Sequence, residues 1–306
     1  MKPPLLLAGH GTRDDKGVAE FTAFVERLGR RFDDREVAGG FIELSPPPLT
    51  DAVGELYAKG HRRVVAVPMM LVAAGHAKGD IPGALAREKE RHDGLEYVYG
   101  RPLGPHSTML RLLGERLDDV QGDGGADGDT AVLLVGRGST DPDANSEVAK
   151  VARLLQEGQA KARGVAFVEP AFISLAWPSV PEGLDRIRRL GAKRVVVLPY
   201  FLFSGVLPDR VVDQSMEYAN EHPELDVRCA PVIGDCDGLA DMIAERYDEA
   251  LQGDIRMNCD TCVYRIAMPG FEDKVGAPQV PHHHPDDPSH GHGHGHGHGH
   301  GHGHGH

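Results

Sequence analysis

Two blocks of this 306-residue chain recur in the same order, so the chain must fold as two copies of one supersecondary design. Residues 5–12 read LLLAGHGT and residues 132–139 read VLLVGRGS. Residues 41–68 (FIELSPPPLTDAVGELYAKGHRRVVAVP) return as residues 172–199 (FISLAWPSVPEGLDRIRRLGAKRVVVLP). The offsets, 127 and then 131 residues, are those left by duplication and fusion. At equivalent places the first copy carries His10, Glu43 and His76, and the second Arg137, Ser174 and, across one gap, Val206. One half retains ionisable groups that the other has lost. That asymmetry predicts a single active site in a two-lobed molecule.

Strand-length apolar runs alternate with amphipathic stretches: 5–8 then 18–31, 41–44 then 49–59, 64–68 then 81–91, and 97–99 then 108–117. The rhythm resumes from 131 to 251. Short, unalternating strands separated by helices predict an α/β fold with parallel sheets covered on both faces. The chain therefore divides into a catalytic lobe (1–120), a Gly- and Asp-rich linker (121–130) and a degenerate second lobe (131–255). Each lobe is expected to be a doubly wound sheet of about four strands. A CxxC segment follows (256–268), then a His-rich tail (269–306) whose terminal His-Gly alternation is expected to be disordered.

The formal charge of −13 supplies no basic stripe and argues against a nucleic-acid partner. No apolar run is long enough to span a bilayer, and the N-terminus lacks a signal-peptide pattern, so a cytoplasmic location is expected. Oligomeric state stays open between a monomer and a homo-oligomer.

In an open parallel sheet, ligands bind beyond the carboxyl ends of the strands. His10, Glu43 and His76 follow three different predicted strands and should project from one sheet edge. Two imidazoles and a carboxylate suit a divalent transition metal or proton removal near neutral pH. Arg13 and Lys78 are candidate charge partners for an anionic ligand. His61, His92, His106 and His222 show no such arrangement and read as surface residues.

The LLLAGHGTR, FIEL…P and VPMMLVAAGHAKGDIP blocks, with the unusual C-terminus, resemble the class II chelatases of tetrapyrrole synthesis, specifically the long CbiX-type sirohydrochlorin cobaltochelatases. The resemblance implies two flavodoxin-like lobes with the macrocycle in the inter-lobe cleft. It further implies that His10 and His76 handle the metal and that Glu43 is the active-site acid. The implied reaction inserts Co²⁺ into sirohydrochlorin for cobalamin synthesis without ATP, and no P-loop is present. Fe²⁺ insertion for siroheme, or Ni²⁺ insertion, is compatible with the same residues. One His, or Glu43, would accept the pyrrole protons. Arg13 and Arg137 would meet the macrocycle's carboxylates. Trp177, Tyr200, Phe201 and Phe203 lie against the ring or in the core. A nickel or cobalt storage protein is the non-enzymatic alternative.

Cys229, Cys236, Cys259 and Cys262 fall within 34 residues (229 to 262), a number that suits an iron–sulfur cluster or a zinc site, with free thiols the third reading. MNCDTC resembles the MxCxxC element of long CbiX proteins, which is associated with an iron–sulfur centre. His282–His284 and the alternating histidines from His290, His292, His294 and His296 onward form a multidentate binder for Co²⁺, Ni²⁺ or Zn²⁺, expected to act as a metal reservoir.

Overall fold

A computed structural model describes residues 2–121, 129–253 and 275. The first half runs β1 (Leu5–Gly9), α1 (Asp15–Arg31), β2 (Val37–Phe41), α2 (Leu49–Ala58), β3 (Arg63–Pro68), a π-helical turn (His76–Asp80), α3 (Ile81–Arg91), β4 (Glu96–Tyr99) and α4 (Ser107–Gln121). The second runs β5 (Thr130–Gly136), α5 (Pro142–Leu155), β6 (Val165–Phe172), α6 (Val180–Arg189), β7 (Arg194–Pro199), α7 (Val206–Glu221), β8 (Asp226–Cys229) and α8 (Asp237–Gln252). Every strand pairing is parallel, in the orders β2-β1-β3-β4 and β6-β5-β7-β8. The two doubly wound four-stranded lobes expected from the sequence are present. β1 and β5 are buried along their whole lengths, as central parallel strands covered on both faces must be.

One strand lies elsewhere than its apolar run suggests. β2 ends at Phe41, so Glu43 sits in the following turn and not at the end of a strand over 41–44. Gly39 and Gly40, poor strand formers, hid the strand, and α1 and α2 pack closely across them.

The lobes also exchange their last helices. α4 packs on β7, β8 and α5, and α8 packs on β3 and β4. The fully buried Arg246 of α8 donates to the carbonyls of Pro102 (3.1 Å) and Leu103 (3.0 Å) in the first half. Arg101 forms a two-pronged pair with Glu249, and the Tyr247 hydroxyl donates to the Pro3 carbonyl at 2.6 Å. One apolar core consequently runs through both halves, from Leu5 and Phe24 to Met109, Leu198 and Ile243. The sequence boundary near 121–130 is therefore not a packing boundary. Residues 122–128 of that linker, the CxxC segment, and the tail apart from Val275 lie outside the described residues. No helix among the described residues is long and apolar enough to cross a membrane.

A second exchange fixes the cleft. Glu20 of α1 accepts from the backbone N–H and the hydroxyl of Ser204, both at 2.8 Å, while Glu147 of α5 accepts from the Ala73 N–H at 2.9 Å. Glu20 and Glu147 are 127 residues apart and so equivalent in the two copies. Each lobe thus holds the other's cleft-lining loop through the same carboxylate. Arg27 pairs with Asp235 and Asp237, and Arg31 with Asp241, along the outer seam.

Candidate active site

β1 connects through α1 to β2 on one side, while β3 lies on its other side, so the loops after β1 and β3 diverge at the topological switch point. A crevice forms at such a point. His10 follows β1 directly and His76 opens the π-helical turn beyond β3; π turns of this kind recur at functional sites. The local chain geometry is specific. Gly11 has φ +102°, and a side chain there would meet the Glu43 carbonyl at 1.8 Å, so the loop carrying His10 lies directly on the turn carrying Glu43. The Thr12 N–H donates to Ser45 Oγ at 2.9 Å and the Glu43 N–H to the His10 carbonyl at 3.2 Å, tying the two loops together.

The three predicted residues converge. Glu43 Oε1 lies 3.4 Å from His10 Nε2 and 3.5 Å from His76 Nε2, and the two rings meet edge-on with centroids 4.4 Å apart. All three ligand atoms fall within 4.8 Å of one another. Bonds of ~2.0–2.1 Å at a tetrahedral angle would place such atoms ~3.3 Å apart, close to the observed spacings. Among the described residues this is the one such group of His, Cys, Asp and Glu.

Neighbouring groups set the tautomers. His76 Nδ1 lies 2.6 Å from Asp80 Oδ2, one π turn along, which assigns the proton to Nδ1 and the lone pair to Nε2. Sequence reading missed Asp80; its signal was the i, i+4 spacing from His76. Arg137 Nη1 approaches His10 Nε2 to 2.6 Å, and because a guanidinium only donates, Nε2 carries the lone pair here too. The His10 Nδ1–H then donates to the Gly11 carbonyl at 3.2 Å. Both imidazoles present the lone pair that a metal ion needs. Burial pulls the Arg137 guanidinium below its ordinary pKa, opposed by the charge of Glu43.

A cavity of about 310 Å³ opens above the cluster, lined by both lobes. Arg13 is exposed at its wall, and Tyr200, Phe201 and Phe203 contribute aromatic surface. Phe203 also packs against Phe21 and Phe24 of the first lobe, so it serves core and cavity together. Burial drives the Tyr200 hydroxyl far above the ordinary phenol value. Leu44 and Leu175 occupy equivalent turns, with φ of +65° and +59°, and both line the cavity as exposed apolar side chains. A left-handed leucine costs ~1–2 kcal/mol, so the pair is held there by the loops around it.

Three expectations need correction. Lys78 does not face the cavity: its ammonium donates to Asp141 at 2.6 Å and Asp143 at 3.0 Å, joining the lobes. Burial would lower the Lys78 pKa, but those carboxylates outweigh it and hold it above the ordinary value. Trp177 is neither core nor cavity; it is 64% exposed, with Arg186 stacked over its ring at 3.9 Å. Cys229 and Cys236 pack against different apolar clusters, on opposite faces of the second sheet, and burial raises both thiols. They do not fit a shared thiolate set. Cys259 and Cys262 fall outside the described residues.

The comparisons agree with this fold. Residues 4–120 and 131–250 each match the CbiX family model. The chain is 38% identical over 266 residues to the sirohydrochlorin cobaltochelatase of Priestia megaterium, spanning 86% of this chain and 85% of that protein. It is 32% identical to a sirohydrochlorin ferrochelatase of the same organism, over 81% and 90% of the two chains. The sirohydrochlorin chelatase SirB from Bacillus subtilis subspecies spizizenii, solved in complex with cobalt, superposes with a TM-score of 0.68 at 27% identity, covering 83% of this chain and 97% of that one. Both copies of the repeat, and with them the whole two-lobed body, make this chain a member of the CbiX family.

Proposed function

We propose that this protein is a sirohydrochlorin cobaltochelatase, inserting Co²⁺ into the macrocycle without ATP in cobalamin biosynthesis. The observation that carries the reading is the convergence of two Nε2 lone pairs and one carboxylate at the head of a two-lobed cavity. Metal insertion asks three things of a protein: to strip water from the ion, to hold the ring over it, and to take up two pyrrole protons. His10 and His76 replace part of the hydration shell as neutral ligands. Two imidazoles and one carboxylate bind more weakly than a full thiolate cage, so the ion can leave again. Glu43, half-exposed beside both rings, accepts the protons and passes them to solvent. Leu44 and Leu175 flank the macrocycle from the two lobes, while Arg13 meets its peripheral carboxylates. The His-rich tail acts as a reservoir that raises local Co²⁺ concentration; truncation after Gly276 lowers metal loading at scarce metal and leaves turnover at saturating metal unchanged.

The test is anaerobic incubation of the purified chain with sirohydrochlorin and Co²⁺, followed by the shift in the tetrapyrrole absorption. Rapid conversion by the native chain, lost in His10→Ala and His76→Ala proteins that keep their circular dichroism, is the expected result. Equal conversion in either variant rejects the site. The 32% identity to a ferrochelatase makes Fe²⁺ the second metal to assay, and faster insertion of Fe²⁺ would redirect the reading to siroheme.

A further inference from the structure

Duplication placed His10 and its counterpart Arg137 on equivalent loops, and these two side chains meet across the cleft at 2.6 Å. The contact uses the Nε2 lone pair of His10, the atom that also faces Glu43. Arg137 is built into place. It follows the fully buried strand β5, and Gly138 behind it has φ +86°, with the Ser174 carbonyl 1.8 Å from where a side chain would begin. Nη1 thus stands at the lip of the ligand cluster, carrying a positive charge that a divalent ion at the same atoms must oppose or displace.

From this we infer that Arg137 is a displaceable internal cation that competes with the metal for His10 and keeps the site's hold on it weak. The inference rests on the chelatase reading of the site and deepens it. Two imidazoles and a carboxylate with no neighbouring cation would hold a divalent ion more tightly than the same set beside a guanidinium, and a chelatase must give the ion up to the ring. With Arg137 present, the charge of Glu43 is already balanced by the guanidinium before metal arrives, leaving Asp80 behind His76 as the nearby carboxylate. An arriving ion breaks the Arg137–His10 contact and gains one imidazole at the cost of placing two cations close together. When the ion moves into the ring, the guanidinium returns to His10 and blocks its recapture. The second lobe has therefore not merely lost a ligand; it has exchanged an imidazole for a charge that drives release. Arg137 is a positioning residue in this scheme, acting on the metal through His10 and through the local field.

The test is a double-mutant cycle on the full-length chain: native, Arg137→Ala, His10→Ala, and the double variant, each titrated with Co²⁺ against a chromophoric chelator. The tail histidines bind alike in all four proteins, so a change in the titration on Arg137→Ala that depends on His10 reports the cleft. Removing one unit charge a few ångströms from a divalent ion should tighten Co²⁺ binding about ten-fold even at a water-like dielectric. That gain should shrink when His10 is absent, because the direct repulsion remains while the competition for Nε2 is gone. Arg137→Gln should behave as Arg137→Ala does, and Arg137→Lys should stay near the native affinity. Single-turnover transfer of bound Co²⁺ to sirohydrochlorin should slow in the Ala and Gln variants as binding tightens. Unchanged or weaker Co²⁺ binding in both the Ala and Gln variants overturns the inference, as does an equal gain without His10. Should the native chain insert no metal while the His10-dependent gain persists, the chelatase reading fails and the competition at His10 stands.

Discussion

The two lobes share a topology, a register and a loop geometry, yet among the described residues only the first carries a cluster of two imidazoles and a carboxylate. In both, the residue after the first strand is followed by a glycine whose positive φ brings its loop onto the turn after the second strand. The equivalence extends to single hydrogen bonds: the Glu43 N–H donates to the His10 carbonyl at 3.2 Å, and the Ser174 N–H to the Arg137 carbonyl at 3.0 Å. Leu44 and Leu175 keep the same left-handed backbone, whereas the helical starts differ: Gly75 is itself helical and leads into the π turn at His76, while Gly205 is extended and leads straight into α7 at Val206. At the cluster positions, Arg137, Ser174 and Val206 of the second lobe stand where the first has His10, Glu43 and His76. On the proposed function, what both halves retain suits a ring lying between them, and what one half retains suits a single metal ion.

The sharpest way to break this comparison is to make matched substitutions in the two lobes. Glu43→Gln and His76→Ala should each lower Co²⁺ insertion by about 10²–10⁴-fold, as loss of a proton acceptor or a ligand does. Ser174→Ala and Val206→Ala, at the equivalent places, should stay within about two-fold of the native rate, since neither position bears chemistry. Comparable losses in both lobes would show that the second is not degenerate.

The exchanged helices make the next largest prediction. Residues 1–121 expressed alone retain α4 but lack α8, which covers β3 and β4 in the intact chain. This fragment should be unfolded, or should pair with a second copy that supplies α4 in place of α8, as domain-swapped elements do. Sedimentation and circular dichroism decide it: a folded, monomeric fragment contradicts the interlocked packing.

A smaller effect separates ring binding from metal binding. Leu175→Asn relieves the left-handed strain, which asparagine tolerates, and should stabilise the protein by up to ~1 kcal/mol. It also removes apolar surface from the macrocycle, so KM for sirohydrochlorin should rise about ten-fold while Co²⁺ affinity is unchanged. A destabilised variant with native KM would detach Leu175 from the ring.

The smallest effect lies in the clasp between lobes. Burial raises the Glu147 carboxyl above its ordinary value, the Ala73 N–H opposing it. A raised folded-state pKa means that its contribution to stability is full below the unfolded value of 4.5 and is lost as pH rises through the folded one. Glu147→Gln, which still accepts from Ala73, should therefore gain stability over the native chain at pH 8 and not at pH 4. Parallel unfolding curves at the two pH values check it. Glu20, its equivalent, has a half-buried side chain and holds Ser204 by two hydrogen bonds, so Glu20→Gln should instead lose stability at both.

Much of the site was legible before folding was considered. The rule that ligands gather beyond parallel strand ends brought His10, Glu43 and His76 together although 66 residues separate the first from the last. The rule works because strand order constrains where loops emerge. It failed for Lys78, two residues beyond His76, because the π turn directs that side chain into the lobe junction and not into the cleft. Trp177 misled for a different reason: aromatic character says nothing of which side of a loop a ring takes, and Arg186 gives it a partner at the surface.

Strand and helix periodicity, turn glycines and the repeat itself are properties of neighbouring residues, so the doubly wound design of each half and its one-sided chemistry could be read from the order of amino acids. Long-range meetings could not. The docking of α8 on the first lobe, the crossed Glu20 and Glu147 clasps, and the approach of Arg137 to His10 all join residues more than seventy positions apart. They depend on how two similar surfaces dock about an approximate two-fold axis, and no local pattern encodes that docking. Chain order supplied the two imidazoles and the carboxylate; the docked lobes set a guanidinium against one of them.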